Sequence, residues 1–286
     1  MNLWTSIRFT ALDDSLRHLA DQPEQLQFTT LDGGLEAEVI RVASPHSSQP
    51  LIVKRWSKQS RPDVAAQYRL LQGLFEQGVA VSRPLGWGVD GENHPVLLTP
   101  DDGIPPAEVK LKQVRELAQL LSRVHRADVS RFLQPLPAYD FIPYFFPGIE
   151  YYDDLKERLD SLFSKVDYKQ QVLIHGDYHL GNIVQKDGVY TIIDWTNGQL
   201  GDARYDVAWS TVLARIYLSD RLAAAFKAAY LADNKDCERD SELVEAIACI
   251  RWLLLNRQVG LPHGPSTKKR IRALLKSSPY LSEELL

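Results

Sequence analysis

The chain has 286 residues, 44% hydrophobic and 24% charged, which suits a soluble globular protein with a real core in one large domain or two small ones. Thirty-three basic against 37 acidic side chains give a formal net charge of -4, so nucleic acid is not the expected main partner. Cys237 and Cys249 are too few for a disulfide framework and fit a reducing cytoplasm, and with no signal-like start and no apolar run of about 18 residues, neither secretion nor a membrane partner is expected.

Leu3, Trp4, Ile7, Leu12, Leu16 and Leu19 recur at roughly helical intervals and predict one or two short helices. Residues 25–30 and 35–42 read as strands around Asp32-Gly33-Gly34, which by itself is a plain hairpin turn. Residues 50–56 read as a strand carrying Lys54, by itself an edge charge. Pro62 opens a helix with Asp63 in its first turn and Val64, Tyr68, Leu71 and Phe75 along one face. Residues 79–87 and 95–99 complete five strands, and Asp101-Asp102-Gly103 with Pro105-Pro106 marks a boundary.

Beyond that boundary, Val114, Leu117, Ala118, Leu121, Val124 and His125 trace an amphipathic helix, with His125 as a core-edge histidine. Residues 139–152, YDFIPYFFPGIEYY, hold seven aromatics in fourteen positions and read as core packing or as one wall of an acceptor pocket, with Glu150, Asp153 and Asp154 beside it. Residues 206–230 and 241–258 read as helices, and Lys268, Lys269, Arg270, Arg272 and Lys276 as the solvated face of a last short one.

The chemistry concentrates in residues 172–207, VLIHGDYHLGNIVQKDGVYTIIDWTNGQLGDARYDV. Apolar runs on either side of Asp187-Gly188 signal a hairpin, because both turn residues tolerate positive φ. A two-residue loop sets Asn182 opposite Ile193 and a three-residue loop sets it opposite Asp194; either register brings Asn182 and Asp194 within about 5 Å. Their oxygens suit Mg²⁺, which takes few protein ligands and fills its shell with water and phosphate. Asp177 precedes Asn182 by five places, the spacing of a kinase catalytic loop whose aspartate accepts the proton of the attacking hydroxyl. Singly, Asp177 reads as a loop cap and Asp194 as a turn acid; together with Asn182 they read as phosphoryl-transfer machinery. Asp202, in a Gly-Asp pair, reads as a turn.

HGDYHLGN, then IIDW, then GDARYDVAW, make this segment resemble the aminoglycoside phosphotransferase and choline kinase-like family, relatives of protein kinases in fold. The resemblance implies an α+β, two-lobed protein-kinase-like fold: a five-stranded antiparallel nucleotide-binding lobe over residues 1–99 and a larger, mainly helical lobe over 100–286 for catalysis and the acceptor. It implies Asp177 as the catalytic aspartate, Asn182 and Asp194 as Mg²⁺ ligands, and Asp206 as the brace of the catalytic loop. It also implies Lys54 on the α and β phosphates, Gly33 and Gly34 over the phosphates, and Leu98 and Thr99 meeting adenine, since Pro100 has no N–H to offer. The implied activity moves the γ-phosphate of ATP or GTP to a hydroxyl of a small molecule, and the IDW order favours antibiotics, aminoglycosides or macrolides, over choline. Leu180 stands where proline is common.

One departure is larger. The helix position that usually offers a glutamate to the lysine is Gln67, which can hydrogen-bond an ammonium but brings no charge. Glu36 or Glu38 standing in, or a nucleotide-binding protein of the same fold with little or no catalysis, are the alternatives. A protein-directed kinase is disfavoured by the missing HRD, DFG and APE stretches.

Overall fold

The computed structural model describes residues 3–31, 37–45, 47, 49–57 and 62–286, so the expectations placed on Gly33, Gly34 and Glu36 lie outside the described residues. The chain divides into two compact units. Met1–Pro105, Ser130–Gln134 and Ile183–Thr196 form the first; Pro106–Val129, Pro135–Asn182 and Asn197–Leu286 form the second. A sheet dominates one and helices the other, the expected α+β class.

The first unit opens with α1 (Leu3–Ser6) and the strands β1 (Arg8–Leu12), β2 (Gln27–Leu31), β3 (Glu38–Ala43) and β4 (Leu51–Arg55). After α2 (Val64–Glu76) come β5 (Gly86–Val89) and β6 (Pro95–Pro100). They make one antiparallel sheet in the order β1-β5-β6-β4-β3-β2, five strands as expected and a sixth, although the strand expected over 79–87 is confined to Gly86–Val89. The sixth, β1, lies where helix was expected. Its pairing of Arg8 with Val89 and Leu12 with Gly86 outweighs the helix-like spacing of the apolar residues around it.

Alternation along β4 sends Leu51 and Val53 into a core with Trp4, Leu26, Ile40, Val42, Val96 and Leu98, leaving Lys54 on the opposite face. Helix α2 starts two residues later than expected: Asp63 is its N-cap and accepts from the Ala66 N–H at 2.9 Å. Its buried stripe is Val64, Gln67, Leu70, Leu71 and Leu74, whereas Phe75, expected on that stripe, is 45% exposed. Gln67 thus occupies a core-facing position at helical spacing with three leucines.

The second unit contains α3 (Leu111–His125), the single-turn α4 (Phe141–Phe145), α5 (Asp153–Phe163) and β7 (Val172–Ile174). The hairpin β8 (Ile183–Lys186) and β9 (Val189–Ile192) returns to the first unit. Asp187 at φ 51° and Gly188 at φ 80° close it with the two-residue loop, pairing Ile183 with Ile192. β10 (Gln199–Gly201) then pairs with β7 in the second unit. The expected single helix over 206–230 is two, α6 (Ala203–Tyr217) and α7 (Asp220–Asp233), because Ser219 caps a new N-terminus by accepting from Leu222 N–H at 3.2 Å. Helices α8 (Ser241–Val259) and α9 (Thr267–Ser277) finish the unit.

Of the seven aromatics in 139–152, Phe141, Phe145 and Phe146 are buried with Tyr205, Trp209 and Trp252 in the large cluster of the second unit, Tyr144 and Tyr152 pack half-buried against it, and Tyr139 and Tyr151 are exposed. Among the described residues, no helix is long and apolar enough to cross a membrane.

Candidate active site

The loop leaving β7 is pinned from beneath by Asp206, in the first turn of α6. Its two carboxylate oxygens accept from successive backbone N–H groups, His175 at 2.7 Å and Gly176 at 2.8 Å, which is the bracing role implied for it. His125 Nε2 lies 3.1 Å from the same carboxylate, while His125 Nδ1 lies 2.6 Å from the Tyr230 hydroxyl. Burial alone would raise the pKa of Asp206, but the His125 hydrogen bond and the surrounding imidazoles lower it instead. His125 is therefore more than a core-edge residue.

Gly176 turns the loop at φ 77°, and a Cβ there would come 2.8 Å from the Asn197 Cβ and 3.1 Å from the Phe145 ring. The turn presents Asp177, whose side chain is 28% exposed. Trp209 Nε1–H donates to its Oδ1 at 2.8 Å, and His179 Nε2 stands 3.4 Å from its Oδ2. Gly181 N–H donates to His179 Nδ1 at 3.0 Å, which fixes the tautomer so that Nε2 carries the proton. Burial pushes the Asp177 pKa up, yet His179, the Arg251 charge and the Trp209 N–H together hold it well below the usual carboxylate range. Asp177 is ionised at neutral pH.

Asn182 joins the same loop. Its amide nitrogen donates to the Asp177 carbonyl at 2.9 Å, so the carboxamide oxygen is the atom directed away from that bond. Asp202, read as a turn, caps α6 by accepting from Arg204 N–H at 2.9 Å and is buried against the Arg204 guanidinium.

In the first unit, Asp194 follows β9 at φ 60°, a left-handed conformation that aspartate tolerates better than most residues. Its Oδ1 accepts from Lys54 Nζ at 2.6 Å and from Thr196 Oγ1 at 2.8 Å. Lys54 therefore pairs with Asp194, 140 positions away, rather than with Gln67. Nor does Glu38 stand in: it shares its face with Arg55, whose Nη2 donates to it at 2.7 Å, and alternation turns Lys54 the other way. The Asp194 carboxylate, 39% exposed, and the Asn182 carboxamide oxygen are each hard oxygen donors of the kind that Mg²⁺ takes.

Leu98 and Thr99 lie inside β6, which runs on to Pro100. The Leu98 carbonyl accepts from Leu85 N–H at 2.8 Å, and Thr99 stands opposite Ile52 in the ladder, so their backbones serve the sheet. Just past the strand, Asp101 accepts from Arg41 at 2.7 Å, and burial raises the pKa of Asp102 against a Ser82 hydrogen bond and the nearby Lys186. On the proposed acceptor side, Asp154 is not a free acid: Arg257 holds both its oxygens, at 2.8 and 2.6 Å. In the aromatic segment, Tyr139 and Tyr144 stack with centroids 4.6 Å apart.

Two residues with a hand in this geometry, Trp209 and Arg251, have no role assigned from the sequence, and His125 reads there as a core-edge histidine only. Arg251 offered the one visible signal, a lone charge in the apolar run from Ile247 to Leu255.

Residues 27–242 match the phosphotransferase enzyme family. No curated protein matches the chain by sequence. Among solved structures, the amicoumacin kinase hAmiN in complex with AMP-PNP, Ca²⁺ and Ami aligns with a TM-score of 0.66 at 14% identity, over 96% of this chain and 97% of that one. An aminoglycoside-3'-phosphotransferase of type VIII aligns with a TM-score of 0.60 at 20% identity, covering 82% and 98% of the two chains. Choline kinase from Cryptosporidium parvum Iowa II aligns with a TM-score of 0.61 at 13% identity, covering 88% and 89%. At such identities the likeness carries the fold, and the family match carries the class: the chain belongs to the phosphotransferase enzyme family, a small-molecule kinase of protein-kinase-like fold.

Proposed function

We propose that the protein transfers the γ-phosphate of ATP or GTP to a hydroxyl group of a small molecule, with Mg²⁺ as its cofactor. The observation that carries this reading is the Asp177 loop: an ionised, partly exposed carboxylate on a turn whose backbone is tied down by a buried aspartate. Such a group accepts the proton of an incoming hydroxyl and orients it for in-line attack. Because the transition state of phosphoryl transfer is loose, orientation matters more than base strength, and a strongly ionised carboxylate suffices.

Lys54 is the proposed contact to phosphate oxygens, and Asp194 and Asn182 are the proposed metal-binding oxygens. When bound, the ion supplies neutralisation of phosphate charge. Gly33 and Gly34 are proposed to cover the phosphates and Leu98 and Thr99 to border the adenine; the sheet bonding of the last two restricts what they offer to a face and an edge rather than a full set of free donors. The acceptor class is proposed from charge: Arg257 neutralises Asp154, one of the acids beside the aromatic segment, and the buried Arg251 adds positive charge near Asp177, which supports a neutral or weakly charged hydroxyl compound better than a polycationic aminoglycoside. The free thiols Cys237 and Cys249 support a cytoplasmic location.

The test is ADP or GDP release with Mg-nucleotide against aminoglycosides, macrolides, choline, homoserine and simple sugars, for wild type and Asp177→Asn. Turnover with at least one acceptor is expected, falling about 10²- to 10⁴-fold in the variant while nucleotide affinity is kept. Equal activity of the variant removes Asp177 from its role, and nucleotide binding without turnover on any acceptor favours a catalytically silent member of the fold.

A further inference from the structure

Arg251, on α8, is 8% exposed, yet among the described residues it forms no ion pair. Its Nη1 donates to the Gly176 carbonyl at 2.7 Å and to the Tyr205 hydroxyl at 3.2 Å. The guanidinium lies 4.3 Å from the centroid of the Trp209 ring and 4.8 Å from that of Phe145. A buried guanidinium held by a carbonyl, a phenol and two ring faces is poorly compensated for its lost hydration. Stacking on tryptophan restores part of that loss. The same arrangement presses the Trp209 ring into one position, and in that position the indole N–H meets Asp177 Oδ1 at 2.8 Å.

The three loop residues are thus held by three separate groups: the N–H of His175 and of Gly176 by Asp206, the carbonyl of Gly176 by Arg251, and the carboxylate of Asp177 by Trp209. The two oxygens of Asp177 are not equivalent. Oδ1 takes the short bond from Trp209, whereas Oδ2 has only His179 Nε2 and Asn182 Nδ2, each at 3.4 Å. A short hydrogen bond makes an oxygen less basic and less able to turn toward a new partner.

We propose that Trp209 and Arg251 are positioning residues that lock the Asp177 carboxylate in one rotamer, leaving Oδ2 as the oxygen that receives the acceptor proton. The inference rests on Asp177 being the base. In the step it serves, the acceptor O–H bond breaks, its proton goes to Oδ2, the acceptor oxygen bonds to the γ-phosphorus, and the bond from that phosphorus to the β-phosphate oxygen breaks, releasing the nucleoside diphosphate. Neither Trp209, 3% exposed, nor Arg251 touches the reacting atoms.

The test measures ADP released from Mg-ATP by the full chain, with choline, homoserine and kanamycin each as acceptor and with water alone, per folded molecule. Trp209→Phe keeps a ring against Arg251 and deletes the N–H together with part of the indole volume, so its melting temperature is measured beside its kcat. It is expected to lower kcat about 10- to 100-fold, the cost of a carboxylate free to turn, with both KM values within about twofold of wild type. Arg251→Lys is expected to keep more kcat than Arg251→Met, a rescue that a purely structural arginine would show in melting temperature and not in kcat per folded molecule. If Trp209→Phe does not fold, the two Arg251 variants decide alone. An inactive Asp177→Asn beside a Trp209→Phe, or an Arg251→Met, of wild-type kcat overturns the inference and leaves the base assignment standing. A fully active Asp177→Asn overturns both.

Discussion

Lys54–Asp194 in the first unit and the Asp177 loop in the second hold their charges by opposite means. The first is a single ion pair on side chains 21% and 39% exposed, at the end of a hairpin and on a left-handed residue. The second is a turn whose backbone is tied to a fully buried carboxylate, which is itself held by His125. An exposed pair is worth little to stability and is free to exchange partners; a buried network is expensive to break and sets geometry before any ligand arrives. The Lys54–Asp194 pair is therefore adaptable and the Asp177 loop is preorganised.

The largest effect that would expose this difference is Asp206→Ala. It strands two backbone N–H groups and His125 in the core and is expected to cost about 3–5 kcal/mol, read from urea denaturation. A loss under about 1 kcal/mol would mean that the network is not what holds the loop.

Acid supplies a second measure. The folded-state pKa of Asp206 lies below its unfolded value, so the carboxylate contributes stability that is complete above about pH 4 and is lost as pH falls through the lowered folded value. Urea midpoints should thus fall less steeply toward acid in Asp206→Asn than in wild type, and identical slopes would deny the carboxylate its part.

Gly176→Ala sharpens the comparison at one atom. Positive φ and the Asn197 and Phe145 contacts lead to an expected cost of about 1–3 kcal/mol, together with reduced kcat, measured by melting and turnover on the same preparation. The smallest shift belongs to the other unit. Lys54→Met should change stability by no more than about 1 kcal/mol while weakening nucleotide binding, as calorimetric titration with Mg-ATP would register. A large destabilisation there would make the pair structural.

Local chemistry was legible in the sequence. Asp187-Gly188 signalled the hairpin, although not which of two loop lengths closes it, and five-residue spacing put Asp177 and Asn182 on one loop. What escaped depends on residues far apart in the chain. β1 pairs with a strand nearly 80 positions later, and no periodicity within residues 3–19 reports that. Lys54 found Asp194 instead of an acid on α2, since Gln67 had gone to the core-facing stripe of that helix. His125 reads as a core-edge residue and Arg251 carries no reading at all, since each lies on an apolar run; only the fold reveals that His125 meets the Asp206 carboxylate and Arg251 the Gly176 carbonyl.

The hairpin from 183 to 196 belongs by its bonding to the first unit, although the chain before and after it builds the second: Ile192 N–H donates to the Ala80 carbonyl at 2.7 Å, and Gln185 exchanges bonds with Ile104. No single cut in the polypeptide separates the two units cleanly. Expressing residues 1–105 as a fragment would leave Ala80 and Ile104 with raw backbone edges, and grafting that fragment onto a different helical half would transplant a sheet stripped of Asp194.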